Sequence, residues 1–271
     1  MVSLRPWSVL LASAALLAAC ERSPPAGTEA ESEPTSPTEL LPVADPPLDR
    51  ERLLLAVARA ASDFAAGRDD GERQRQLSGR RFEVRLRVGC ESDDIATRQW
   101  SFDEPNRVLR VRVEPELSAS DPAIAALGLE PFEAVEGFWI RRPWLLHAAC
   151  PETAPAAPAD EEADGEADAP GERPPAAQPH VGIAHFFTEQ DSRLRRRDQR
   201  AYETTVKLAE GEQPSPTGYD LVLSGRLTQL PGGRVIACAG NGAAAPPRCI
   251  VSADFDQVRL ARPDGTMIAE W

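Results

Sequence analysis

The chain has 271 residues, and its 43 Asp and Glu against 30 Lys and Arg give a formal net charge of −13 at pH 7. We expect no nucleic-acid partner. Five cysteines without a Cys-x-x-Cys pair, together with only three histidines, argue against a zinc site. We therefore expect no cofactor and no metal.

The first nineteen residues have the organisation of an export signal. Arg5 supplies a positive charge, and the apolar run over 9–17 is too short to cross a bilayer as a permanent helix. The motif Leu17-Ala18-Ala19-Cys20 follows. It resembles the lipobox of bacterial lipoproteins, and the chain resembles uncharacterised envelope lipoproteins of GC-rich Gram-negative bacteria.

The resemblance implies that residues 1–19 are removed and that Cys20 is acylated, so that the bilayer is the first partner of the chain. Several acyl chains on one cysteine give an anchor that does not readily reverse. Glu21 follows the cysteine, where an Asp would imply retention at the inner membrane. The resemblance therefore implies the periplasmic face of the outer membrane.

Two stretches carry nearly all of the negative charge. Residues 21–48 have six acids against one arginine, and residues 151–179 have eight acids against one arginine. Both are rich in Pro and Ala, so we expect a disordered stalk over 20–47 and a disordered acidic insert over 151–179. The remainder is either one β-rich periplasmic domain, 48–271, or two small β domains, 48–150 and 180–271.

One helix is predicted after the stalk. Asp49 is a suitable N-cap, and Leu48 can pack against the first turn. Gly67 is a suitable C-terminal stop. The apolar residues between them recur at helical spacing and predict a helix that docks on a sheet: Leu53, Val57, Ala60, Ala61 and Phe64.

Most of the remaining chain alternates between apolar and polar residues, which is typical of β-strands. Strands are predicted over 82–88, 99–103, 107–113, 138–140, 181–187, 219–230, 234–238, 249–255, 258–261 and 267–271. Turns are predicted at 104–106, 231–233 and 263–265 from Pro, Gly, Asn and Asp. The fold class is mainly β with one N-terminal helix, as an antiparallel sandwich or a barrel-like sheet cross-linked by disulfides.

Four cysteines remain after Cys20, and an even number in an exported domain predicts disulfides with three connectivities. We favour Cys238–Cys249, because apolar runs flank both residues and the loop between them is rich in Gly, Ala and Pro. Cys90–Cys150 then follows by elimination.

The histidines do not predict a site. His180 and His185 lie five apart at a strand start and point to opposite faces, and His185 sits in an apolar run. His147 precedes Cys150 in a segment that reads as buried. We find no serine-nucleophile motif and no phosphate loop, and we assign no catalytic residue.

The densest basic run is 193–200, and its candidate binding residues are Arg193, Arg195, Arg196 and Arg197. It is suited to anionic head groups, to an acidic strip of a partner, or to the acidic insert; the alternative is a solvated loop balanced by nearby acids. A set of aromatic residues is suited either to a ligand surface or to the core: Trp100, Phe102, Phe138, Trp139 and Trp144.

These observations favour a membrane-anchored envelope lipoprotein that acts as a non-catalytic binding or assembly module. The partner would be an envelope protein or the cell wall. The alternative is an envelope hydrolase acting on peptidoglycan or lipid, for which a pocket combining His147 or His185 with a carboxylate would be the mark.

Overall fold

The computed structural model describes residues 45–68, 70–90, 97–129, 132–150, 180–191, 193–240 and 245–271. The signal peptide, Cys20, nearly all of the stalk and the acidic insert lie outside these residues. The stretch Asp45–Trp271 forms one compact unit.

The unit is mainly β, as predicted, but its described residues contain three α-helices where the sequence predicted one. The helices are α1 (Arg50–Ala65), α2 (Gly71–Leu77) and α3 (Pro122–Ala125). The strands are β1 (Arg81–Val88), β2 (Arg98–Asp103), β3 (Val108–Val113), β4 (Ala134–Trp139), β5 (Val181–Phe187), β6 (Tyr202–Lys207), β7 (Tyr219–Leu227), β8 (Ile236–Ala239), β9 (Arg248–Ala261) and β10 (Met267–Glu270).

Helix α1 forms where the periodicity placed it. The Asp49 carboxylate accepts the backbone N–H of Arg52 at 2.9 Å, which satisfies one of the free donors at the helix start. Leu53 and Val57 on the predicted face are buried in the main core. Phe64, at the end of that face, remains 41% exposed.

The short helices α2 and α3 were not predicted, because one or two helical turns do not establish a periodicity. Helix α2 nevertheless has a structural role. Its buried Gln74 side chain accepts the backbone N–H groups of Val235 and Ile236 at 2.8 and 2.9 Å. The helix thereby holds the start of β8 in place.

The strands form a seven-stranded sheet and a three-stranded sheet. The larger sheet has the order β1-β7-β9-β5-β4, with β8 and β10 also paired to β9; the smaller has the order β2-β3-β6. All pairs are antiparallel except β5 with β9, so the larger sheet is mixed. Within the described chain neither sheet closes into a barrel.

The two sheets pack on each other and share one core with α1. Tyr219 of β7 meets Trp100 of β2 edge-on, with ring centroids 5.9 Å apart. Phe138 of β4 meets Tyr202 of β6 at the same distance. This packing accounts for the two-layered arrangement that the alternating pattern predicted.

A buried carboxylate ties the smaller sheet to the larger one. Glu116 pairs with Arg98 of β2 and accepts the backbone N–H of Trp139 at 3.0 Å. Arg141 binds the same carboxylate at 2.8 Å. Burial pushes the pKa of Glu116 upward, but the two arginines and the hydrogen bonds outweigh it and hold the pKa below its usual value.

Strand β9 merges two predicted strands into one of 14 residues. Its pairing with β7 shifts register between Ser224 and Gly225, which lets the strand continue through the polar residues that suggested a break. A side chain at Gly225 has no room, because a Cβ there would lie 2.0 Å from the carbonyl oxygen of Asp254.

Both favoured disulfides are present. Cys238 of β8 is bonded to Cys249 of β9, and the two residues are direct partners in the antiparallel β8–β9 pair. Cys90, just after β1, is joined to Cys150. The second bond fixes the end of the segment 141–150, which we call the strap.

Candidate functional site

The basic run forms a loop, 193–200, that lies against the edge strand β4. The turn closes with a hydrogen bond from the Arg200 N–H to the Arg197 carbonyl at 3.0 Å. Its two central residues, Asp198 and Gln199, have φ of 52° and 60°, a region that costs energy for non-glycine residues. The Gln199 amide donates to the Val135 carbonyl at 2.8 Å, which fixes this turn on the strand.

Beneath the loop is a cavity of about 300 Å³, which we call the loop pocket. Strands β4, β5, β6 and β9 contribute to its walls. The lining residues are Glu136, His185, Phe187, Leu194, Arg195, Arg196, Arg197, Arg200, Tyr202, Phe255, Asp256, Gln257, Val258 and Trp271.

Glu136 is the buried carboxyl group of this pocket, with 5% of the residue exposed. One of its oxygens accepts the backbone N–H groups of Arg197 and Asp198 at 2.9 and 2.8 Å. Burial outweighs these hydrogen bonds and raises the pKa of Glu136 above the usual value for a glutamate. The group therefore retains a proton to higher pH than an exposed glutamate and can donate it.

His185 lies directly across the strand pair from Glu136. Its ring stacks on Phe187 at 3.9 Å between centroids, and its Nδ1 is 3.5 Å from the Asp254 carboxylate. Burial has the largest effect and lowers the pKa of His185; the Asp254 carboxylate opposes it, and the positive charge of Arg195 lowers the pKa further. The imidazole is accordingly neutral at pH 7.

Each candidate binding arginine contacts an acceptor or a ring of its own chain. Arg195 binds Asp254 with two nitrogens, and Arg196 binds Glu133 at 2.8 Å. Arg193 is exposed and lies 3.6 Å from Glu133.

Arg197 is held in the same way. Its guanidinium lies 4.3 Å from the centre of the Tyr202 ring and donates to the Ala201 carbonyl at 2.9 Å. The arginines of the loop therefore build and fix the wall of the pocket.

Aromatic side chains form another part of the wall. The rings of Tyr202 and Trp271 meet edge-on at 5.4 Å, and the Trp271 backbone pairs with Val258 of β9. Burial raises the pKa of Tyr202 to about 12, so the phenol stays protonated at neutral pH. The pocket thus combines aromatic faces with donors and acceptors in fixed positions.

The other histidines lie outside the loop pocket. His147 is exposed on the strap and lines a separate cavity of about 540 Å³. His180 precedes β5, and its carbonyl accepts the Cys249 N–H at 2.8 Å. Among the described residues, no group of three or more His, Cys, Asp or Glu has the arrangement of a metal site.

Most of the predicted aromatic set belongs to the core. Phe138 and Trp139 are buried, and Trp100 and Phe102 pack against the main core from half-buried positions. Trp144 differs from them, since 64% of it is exposed.

Sequence reasoning singled out His185 and the arginines but missed Glu136, Tyr202 and Trp271. A signal existed for Glu136, which is the acidic residue inside the apolar strand Ala134–Trp139. A carboxyl group placed in such a strand is buried, and buried carboxyl groups have perturbed pKa values. Tyr202 and Trp271 carried no signal of this kind.

No helix in the described part of the chain is long and apolar enough to cross a membrane. Searches against protein-family models, curated proteins and solved structures return no significant match to this chain.

Proposed function

We propose that this chain is a membrane-anchored envelope lipoprotein, held by acylated Cys20, whose domain is a non-catalytic binding module for the cell wall. The observation that carries the binding role is the loop pocket. Ion pairs and hydrogen bonds within the chain fix its wall. The wall therefore loses little conformational entropy when a ligand binds.

The two disulfides support the location. Structural disulfides persist in oxidising compartments such as the bacterial periplasm and are rare in the cytosol. A lipid anchor at Cys20 would then leave the domain on the periplasmic side. The face of the outer membrane that looks onto the cell wall fits both features.

The ligand class follows from the chemistry of the pocket. A sugar ring has an apolar face that stacks on aromatic side chains and hydroxyl groups that both donate and accept hydrogen bonds. The partly exposed Trp271 offers the aromatic surface, while Glu136, Asp256 and Arg200 offer donors and acceptors. A volume of about 300 Å³ lies at the small end of ligand pockets and suits one or two rings of a cell-wall glycan.

Binding to purified peptidoglycan tests this role. The chain from residue 20 onward, carrying Cys20→Ser so that no lipid is attached, is sedimented with sacculi and titrated calorimetrically with soluble glycan fragments. We expect saturable binding that Trp271→Ala weakens roughly tenfold, the size expected for a lost aromatic contact. Trp144→Ala is the matched control, because it removes a tryptophan that is absent from the pocket wall. Equal binding by both variants, or none by the parent chain, would contradict the proposal.

The lipid anchor is tested separately in cells. Cys20→Ser should remove acylation and move the chain from the membrane fraction to the soluble periplasmic fraction. Mass spectrometry of the N-terminal peptide reads out the acyl groups directly. A variant that stayed in the membrane fraction would contradict the anchor.

One observation favours the alternative of an envelope hydrolase. Glu136 has a raised pKa and faces His185, which in turn lies beside Asp254. A protonated glutamate of this kind can act as a general acid on a glycosidic bond. Release of soluble fragments from sacculi, abolished by Glu136→Gln, would replace the binding role with this one.

A further inference from the structure

The strap exposes two large apolar side chains at its apex. A turn closed by the Leu145 N–H on the Arg142 carbonyl at 2.9 Å places Pro143 and Trp144 at its centre. Trp144 is 64% exposed and Leu146, two residues on, is 40% exposed. Two large exposed apolar side chains this close in the sequence are a candidate for an interaction site.

Contacts with the rest of the domain hold the backbone of the strap in place. The buried guanidinium of Arg50 donates to the carbonyls of Arg141, Arg142 and Leu145 at 2.8, 3.2 and 3.0 Å. At its far end the strap is fixed by the Cys90–Cys150 disulfide. Because the backbone is held at both ends, the turn that carries Trp144 is fixed on the surface of the domain.

The strap lies near the first described residues of the domain. Arg50 is the first residue of α1, and Pro47 lines the same cavity of about 540 Å³ as Leu146 and His147. About 25 residues separate Cys20 from Asp45, and fully extended they span at most about 90 Å, so Asp45 is always within that distance of the anchor.

The composition of the strap suits a phospholipid surface. Trp and Leu are the residues that favour the interface between head groups and acyl chains. Residues 141–150 contain two arginines and a histidine but no acid, so the strap itself carries no carboxylate toward the lipid phosphates, although Asp49, Glu51, Glu83 and Asp220 line the cavity beside it.

We propose that Trp144 and Leu146 form a membrane-docking tip that inserts into the head-group region of the bilayer to which the chain is anchored. This rests on the lipid anchor proposed above. The anchor keeps the tip at a high effective concentration at the surface, so a weak intrinsic affinity is enough to hold the domain close to the membrane.

The test uses the chain from residue 20 onward with Cys20→Ser, so that any binding comes from the domain. It is sedimented with vesicles of phosphatidylethanolamine and phosphatidylglycerol. We expect the partition coefficient to fall at least tenfold in Trp144→Ser/Leu146→Ser. Leu55→Ser/Phe64→Ser is the matched control, because these residues are 45% and 41% exposed on α1, and it should bind like the parent chain. Circular dichroism establishes that both variants are folded.

Fluorescence locates the contact. Vesicles should shift the tryptophan emission of the parent chain to shorter wavelength, and Trp144→Phe should abolish the shift while Trp100, Trp139 and Trp271 remain. Equal vesicle binding by the parent and the tip variant, or binding that requires an added membrane protein, would overturn the docking tip and leave the anchor untouched. Failure of acylation at Cys20 would instead remove the anchor, whatever the vesicles show.

Discussion

Arg50 is a charged residue that the domain buries for a structural purpose. Its guanidinium donates to four backbone carbonyls, three in the strap and one at Arg85 of β1. Burial, together with the nearby Arg98 and Arg142, lowers the pKa of Arg50 to about 10, so the group is still charged at neutral pH. A single side chain therefore joins the start of α1, the strap and the edge of the larger sheet.

Replacing Arg50 by Met should cost about 2–4 kcal/mol of unfolding free energy, because it leaves several buried carbonyls without a donor. Urea denaturation at pH 7 measures the loss. Arg59→Met, on the exposed side of the same helix, is the control and should change the free energy by less than about 0.5 kcal/mol. A loss from Arg50→Met as small as that of the control would show that the four hydrogen bonds contribute little.

Glu136 makes the stability of the domain depend on pH. Because burial raises its pKa in the folded state, its favourable contribution is full below the unfolded value near 4.5 and is lost as the pH rises through the folded value. Glu136→Gln lacks this titration. The unfolding free energy of the parent chain, minus that of the variant, should therefore fall as the pH rises above about 4.5.

Urea titrations at four pH values give the difference directly. A difference that stayed constant with pH would mean that burial does not raise the pKa of Glu136.

At the scale of elements, the bulge between β7 and β9 depends on a residue without a side chain. Gly225→Ala places a methyl group against the backbone oxygen of Asp254, and neither strand can move without disturbing the ladder on its other side. We expect a loss of about 2–3 kcal/mol in thermal or urea unfolding. Gly240→Ala is the control, since a Cβ there meets nothing within 4 Å. Equal stability of the two variants would mean that the bulge relaxes freely.

The elements that the sequence predicted are those with strong local patterns. Alternation in 82–88 and the Asp49 cap with its apolar stripe predicted β1 and α1 correctly. Strand β6 was missed because Thr204 and Thr205 occupy its middle, and neighbouring threonines blur the apolar alternation.

The loop pocket shows where prediction from sequence ends. His185 and the arginine run were each identified, but as separate features. Their convergence with Glu136 depends on β4, β5 and β9 being neighbours, and β9 reaches β5 through a parallel pairing between segments about 70 residues apart. Local alternation specifies that a segment is a strand, yet it does not specify which strand lies beside it.

On the scale of the whole molecule, the two sides of the acidic insert are interleaved. Strand β1 pairs along its full length with β7, and β3 pairs with β6, so each sheet takes strands from before 151 and after 179. Val84 and Leu86 of β1 are buried in the core that this pairing creates. In the sequence, the insert therefore lies between two segments that supply strands to the same two sheets.

This arrangement predicts that neither half folds alone. Fragments 45–150 and 180–271, expressed separately, should show disordered circular dichroism and unresolved amide spectra, because each lacks the partners of its central strands. Mixing the two oxidised fragments should restore strand content. A full chain cut by protease within 151–179 should likewise keep its strand content.

A fragment with a cooperative unfolding transition of its own would instead support two small β domains, 48–150 and 180–271. The pairing of β1 with β7 would then be a contact between domains, and the loop pocket, whose walls come from both halves, would depend on that contact.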